Sequence, residues 1–288
     1  MSETKIEPAF EGEWFVARDG TRLALARWET ENPKAVLVAL HGMSDYSNAF
    51  ALPAPWWAAR GITVYAYDQR GFGRSPHRGL WAGGDAMRAD FADAVSIVRA
   101  RHPGVPVHAL GLSMGGAVVM SALASESAPR VNGAILVAPA VWGWRELPLS
   151  YRAALWVGAH AAPWMELSGR GLKITPSDNI EMLRAIARDP LFIKRTRTDA
   201  VYGLVTLMDE AYAAASRIAS PPILYLYGEK DEIIPKGPTA EAMATLGKKA
   251  CVKRYPDGYH MLLRDLAGPE RWKDIADWIA DDSKSCRD

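Results

Sequence analysis

The sequence predicts an α/β fold on a mostly parallel sheet, from three observations. Short apolar runs recur that lack the polar alternation of a half-exposed strand. Amphipathic helical stretches separate them. A glycine-flanked serine stands between one such run and a helical stretch of small residues. A parallel neighbour can be reached only by a crossover, and the crossover is usually a helix, so strands alternating with helices imply a parallel sheet.

Taken in order, two N-terminal strands are expected at 13–18 and 22–29. Buried runs follow at 35–40, 62–67, 105–110, 133–138, 222–227 and 250–255, which makes an eight-stranded sheet. The clearest helix covers 85–102, where Met87, Phe91, Val95 and Val98 recur at helical spacing with charges on the other face. A small-residue helix is expected at 117–124. The rhythm breaks once. Residues 141–215 are too long for one crossover, and they hold Trp142, Trp144, Trp156 and Trp164 in helical-looking stretches. That segment reads as an inserted helical cap, between a first core part at 1–140 and a second at 216–288.

Composition sets the outer limits. The 288 residues suffice for one large domain or two modest ones at roughly 100–200 residues each, and 49% apolar content can fill a core. Lys and Arg number 34 against 33 Asp and Glu, a net charge of +1, which gives no excess field to recruit nucleic acid. Cys251 and Cys286 have no CxxC partner, so reduced thiols are expected in place of a disulfide framework or zinc site. No H-E-x-x-H, Walker loop or dinucleotide fingerprint occurs, so neither a metal nor a cofactor is expected. The uncharged segments 131–144 and 153–165 fall short of the ~18 residues a membrane span needs. The first 13 residues carry Glu3, Glu7, Glu11 and Glu13 and no apolar stretch, so a cytoplasmic protein is expected.

The chemistry centres on residues 111–116, Gly-Leu-Ser-Met-Gly-Gly, directly after the strand at 105–110. A serine on a sharp strand-to-helix turn has neighbours pressed against adjacent backbone, which glycine fits without a clash. Ser113 is then exposed at the sheet edge, at a helix N-terminus that favours developing negative charge. A hydroxyl nucleophile needs a base. Of His41, His77, His102, His108, His160 and His260, only His260 follows the last strand in a turn-rich loop. A carboxylate to orient it is sought after the strand at 222–227, where Asp231 is preferred and Glu229 and Glu232 are surface alternatives. His41-Gly42-Met43-Ser44 follows the strand at 35–40, so the Met43 and Met114 N–H groups could converge as an oxyanion hole. Asp68 to Ser75 is no Walker loop, and an arginine there reads as a tie between neighbouring loops rather than a phosphate ligand.

These landmarks (His41-Gly42, Asp68 to Ser75, Gly111 to Gly116, Gly228 to Pro235 and Gly258-Tyr259-His260) resemble the α/β-hydrolase-fold serine hydrolases of the monoacylglycerol lipase and lysophospholipase group. The resemblance spans nearly the whole chain. It implies the α/β-hydrolase fold, helices on both faces of the sheet, a cap, and Ser113, Asp231 and His260 as nucleophile, orienting acid and base. The group commonly shows Gly-Glu-His after its oxyanion turn, whereas this chain reads Ser44-Asp45-Tyr46.

The expected activity is hydrolysis of a carboxylic ester with an apolar acyl arm, such as a monoacylglycerol or lysophospholipid, through an acyl-enzyme and without a cofactor. Trp142, Trp144, Trp156, Trp164, Leu155, Met165, Leu204, Leu207 and Met208 are candidates for an acyl channel. The partners expected are a small-molecule ester or lipid, with transient contact between the cap and a membrane or micelle surface. A general carboxylesterase, peptidase or perhydrolase of the same fold is the alternative, as is a non-catalytic ligand-binding protein. Serine rather than aspartate at the elbow argues against haloalkane and epoxide chemistry.

Overall fold

In the computed structural model, which describes residues 6–169, 171 and 173–281, nine strands form one sheet. They are β1 (Ala9–Glu11), β2 (Trp14–Val16), β3 (Arg22–Trp28), β4 (Ala35–Leu40), β5 (Ile62–Tyr67), β6 (Val107–Leu112), β7 (Gly133–Val137), β10 (Ile223–Gly228) and β11 (Ala250–Tyr255). A separate ladder pairs β8 (Glu166–Leu167) with β9 (Thr196–Arg197). The sheet order is β1-β2-β3-β5-β4-β6-β7-β10-β11. β1, β2 and β3 pair antiparallel, and β3 joins β5 antiparallel; the other pairings are parallel. The expected eight strands thus become nine. The extra one, β1, is three residues long, too short to give a period in sequence.

Strand side chains alternate between two apolar layers. Val36, Val38 and Leu40 face a cluster with residues of α2 (Gly84–Arg101), α3 (Met114–Leu123), α6 (Thr198–Ala214) and α7 (Lys236–Leu246). Ala35, Leu37 and Ala39 face Ala54 and Trp57 of α1 (Pro53–Ala58) and Ile275 and Trp278 of α8 (Gly268–Ala280). Burial on both faces is why these runs show no polar alternation. The chain crosses from β5 to β6 over β4, so β4 and β6 are neighbours whose following loops depart in different directions, a switch point of the sheet.

Between β7 and β10 lie α4 (Leu149–Ala161), α5 (Ile180–Arg188) and α6 together with the small ladder. The Thr198 hydroxyl donates to the Ala162 carbonyl at 2.8 Å, tying α6 to the end of α4. α6 is half-buried against the core, whereas no α4 residue is fully buried. Cys251 corrects the expectation of a reduced thiol: it is disulfide-bonded, and Cys286 lies outside the described residues. No helix among the described residues is long and apolar enough to cross a membrane.

Burial lowers the pKa of His41, His102 and His108, the last to about 4. The unfolded chain takes up protons at these positions first, so their contribution to stability is full above pH ~6.5 and lost as pH falls toward 4. His108 alone is expected to cost about 1.5 kcal/mol between pH 6.5 and 5, since the full 1.36 kcal/mol per pH unit is reached only below its ordinary pKa. Urea unfolding at both pH values checks this: His108→Gln should lose less stability on acidification than the native chain, and an equal loss would contradict it.

Candidate active site

Parallel strands bring their C-terminal ends to one edge, and the residues singled out in sequence follow four of those ends: β4, β6, β10 and β11. Ser113 sits between β6 and α3 with φ 48° and ψ −112°, a conformation rarely adopted by a residue with a side chain. Its N–H donates to the Val137 carbonyl at 3.0 Å, and its carbonyl accepts from the Ala140 N–H at 3.0 Å and the Ala117 N–H at 3.1 Å. Gly115 makes the turn feasible. A Cβ there would stand 2.3 Å from the Leu40 carbonyl oxygen, and one on Gly111 would stand 2.6 Å from the Gly115 backbone.

His260 Nδ1 lies 2.8 Å from Asp231 Oδ2. The other oxygen of Asp231 accepts from the Ile233 and Ile234 N–H groups at 2.8 and 2.9 Å, which fixes the carboxylate behind the imidazole. Glu229 instead faces Arg254 and Lys236. Glu232 accepts from the Thr175 N–H at 2.7 Å.

Gly42 packs so closely on the elbow that a Cβ there would lie 3.3 Å from that of Ser113. Met114 opens α3, whose first amides have no partner within the helix. His41 is fully buried and its pKa is lowered by that burial. Its Nδ1–H donates to the Gly42 carbonyl at 2.8 Å, and its Nε2 accepts from the Gln69 N–H at 2.9 Å. His41 therefore shapes the turn as a neutral ring. Asp68 receives the Ser47 and Arg74 N–H groups, and Arg70 grips Asp19 and Asp90, so this loop is bound up in its own ties.

Ser113 and His260 line one cavity of about 360 Å³, together with Met43, Trp142, Leu204 and Met208. Its walls are mostly apolar, closed by Phe192, Ile233 and Leu263 among others. Trp144, Trp156, Trp164, Leu155, Met165 and Leu207 do not line it. Trp144 packs at a tilt against Tyr202, and Trp156 stacks on His160, which meets the same Tyr202 edge-on, so these rings knit α4 to α6. Trp164 is 66% exposed, Met165 is exposed as well, and Leu207 is buried in the core. Two polar wall residues had no sequence signal. Asp45 and Arg264 form a buried ion pair across 219 positions of chain, joining the turn after β4 to the His260 loop. Among the described residues no cluster suited to a metal ion occurs.

The fold and this arrangement define an α/β-hydrolase of the serine hydrolase class. Residues 31–267 match the family model described as serine aminopeptidase, S33, and the chain belongs to that family. It is 26% identical to a monoacylglycerol lipase of Mycolicibacterium smegmatis, over 97% of this chain and 98% of that one. It is 27% identical to the monoglyceride lipase of Homo sapiens, over 87% and 84%. Among solved structures, a soluble variant of monoglyceride lipase from Saccharomyces cerevisiae in complex with a substrate analog superposes with a TM-score of 0.77 at 16% identity, over 93% and 94% of the two chains, which shows the shared fold.

Gly115→Ala tests the elbow. The added Cβ forces α3 and β4 apart, so a lower melting temperature and a kcat reduced by at least about tenfold are expected. An unchanged melting temperature and rate would show that the turn has room to spare.

Proposed function

We propose that the chain hydrolyses carboxylic esters with an apolar acyl arm, of the monoacylglycerol or lysophospholipid kind, with Ser113 as nucleophile, His260 as base and Asp231 as orienting acid. The observation that carries the reading is a serine on a strained elbow and a carboxylate-held imidazole on the same apolar cavity. With Nδ1–H donated to Asp231, His260 Nε2 is free to take the Ser113 proton as Oγ attacks the acyl carbon. The carbonyl π bond opens to an oxyanion, which the Met43 and Met114 N–H groups would receive. Collapse breaks the bond to the alcohol, which leaves with the proton from His260. Water then repeats the sequence on the acyl-serine and releases the acid. No cofactor is needed for any step.

The names of the relatives favour a lipid ester, and the cavity walls suit an acyl chain. Residues 141–215 act in this reading as a cap that chooses substrates through Trp142, Leu204 and Met208. Its exposed Leu149, Tyr151, Trp156 and Val157 on α4, beside Trp164, would rest transiently on a membrane or micelle surface in a cytoplasmic setting. The family description favours a second reading, release of an N-terminal amino acid from a peptide by the same acyl-enzyme route.

A panel of p-nitrophenyl esters from acetyl to palmitoyl, beside monoacylglycerol, lysophospholipid and aminoacyl amide, separates the two. Each methylene buried should contribute up to about 0.8 kcal/mol, nearly fourfold in kcat/KM, until the cavity is full. A preference for the amide, or no rise with chain length, would favour the second reading. Ser113→Ala should lower kcat by up to about 10⁶-fold in a folded protein. Asp231→Asn should lower it by about 10⁴-fold, because the amide permits the wrong imidazole tautomer. A tenth of native activity in Ser113→Ala would exclude it as nucleophile.

A further inference from the structure

From contacts on either side of His260, we infer that Ser177 and Asp265 are positioning residues for the catalytic imidazole, and that the insertion between β7 and β10 braces the triad as well as roofing it. The inference rests on the reading of His260 as base. His260 stands in a loop without regular secondary structure, so its ring position depends on what holds its two flanking peptides. The Tyr259 N–H, just before it, donates to Asp265 Oδ2 at 2.9 Å. The Met261 N–H, just after it, donates to the Pro176 carbonyl at 2.9 Å. The Ser177 hydroxyl donates to Asp265 Oδ1 at 2.6 Å. Both flanking amides are thus held from residues 176 and 177, one directly and one through Asp265.

The same short segment reaches further. The Asn179 side-chain amide donates to the Arg264 carbonyl at 3.0 Å, and Asp178 accepts the Leu266 N–H at 2.8 Å. At its other end the Thr175 N–H reaches Glu232, beside Asp231. Residues 175–179 therefore touch the loop of the base and the loop of the acid together. Ser177 is fully buried and Asp265 nearly so. Burial raises the Asp265 pKa, against the hydrogen bonds from Ser177 and Tyr259. A buried network with its partners supplied gives a unique geometry, and small displacements of a catalytic group are costly.

The test is steady-state kinetics of Asp265→Ala, Ser177→Ala and Asp265→Asn on p-nitrophenyl butyrate, a short ester that asks little of the cavity, with thermal melts to establish folding. Asp265→Ala is expected to lower kcat by about 10²-fold and Ser177→Ala by about tenfold, with KM changed less than about threefold. Asp265→Asn should recover to within about fivefold of native. Its amide oxygen still accepts from Tyr259, and its NH₂ can donate to the Ser177 oxygen. A folded Asp265→Ala with kcat within twofold of native, or with a raised KM and unchanged kcat, overturns the inference. Should Asp265→Ala fail to fold, Ser177→Ala carries the same test, since it deletes one hydroxyl, and a native kcat there also overturns it. Ser113→Ala run alongside keeps the outcomes apart. If it remains active the triad reading fails, and if it is inactive while the other variants behave as native, only the bracing fails.

Discussion

At the end of β6 the chain reverses into α3 with so little space that the Gly115 Cα lies against the Leu40 carbonyl of the neighbouring strand. That contact fixes the distance from α3 to β4, as the approach of Gly111 to the Gly115 backbone fixes it to β6. It holds Ser113 at positive φ, leaves the first amides of α3 at the edge of the sheet, and sets the His41–Met43 turn beside them. A left-handed serine costs free energy on the order of 1–3 kcal/mol, offset here by hydrogen bonds from the Ser113 peptide to β7 and the turn that follows it. In the proposed reading the nucleophile and the oxyanion donors take their positions from this one turn.

The other half of the site has no such rigid scaffold. Asp231 and His260 come from loops, and what orders them is polar. The Asp231 carboxylate is held by two backbone amides, the His260 peptides are held from residues 176, 177 and 265, and Arg264 is paired with Asp45. A buried ion pair contributes little net stability once desolvation is counted, but it discriminates strongly between geometries. The turn after β4 is bound in the same manner. The Ile193 N–H donates to the Ser44 carbonyl at 2.9 Å, and the Tyr46 hydroxyl donates to Asp189 at 2.7 Å. Ser44-Asp45-Tyr46 thus carries contacts of its own to Arg264 and to the segment between β7 and β10.

Strands buried on both faces were readable because their pattern is set by burial alone. The runs at 35–40 and 62–67 are such strands with those limits, and 250–255 is also a strand with its expected limits, although it lies at the sheet edge with only Cys251 and Tyr255 buried. The run expected at 105–110 begins instead at Val107, after Pro106, which has no N–H for a ladder, and continues to Leu112. The glycines around Ser113 and the turn at Gly258 were readable because close backbone approach requires particular residues. The cavity walls were not. Aromatic density says that a helix packs against something, without saying whether that is a neighbouring helix or a substrate. Trp142 meets the cavity, whereas Trp144 and Trp156 meet other rings of α4 and α6. No local pattern relates Asp45 to Arg264, since their pairing exists only once the turn after β4 and the last loop have converged.

In the proposed reading Ser113 carries the acyl group during turnover. The most direct measurement is rapid quenching in acid during hydrolysis of a p-nitrophenyl ester, followed by digestion and mass spectrometry of the peptides. An acyl adduct is expected on the peptide bearing Ser113, forming with the first turnover and disappearing when substrate is exhausted. Turnover with no adduct at Ser113, or an adduct on another residue with the same kinetics, would contradict it.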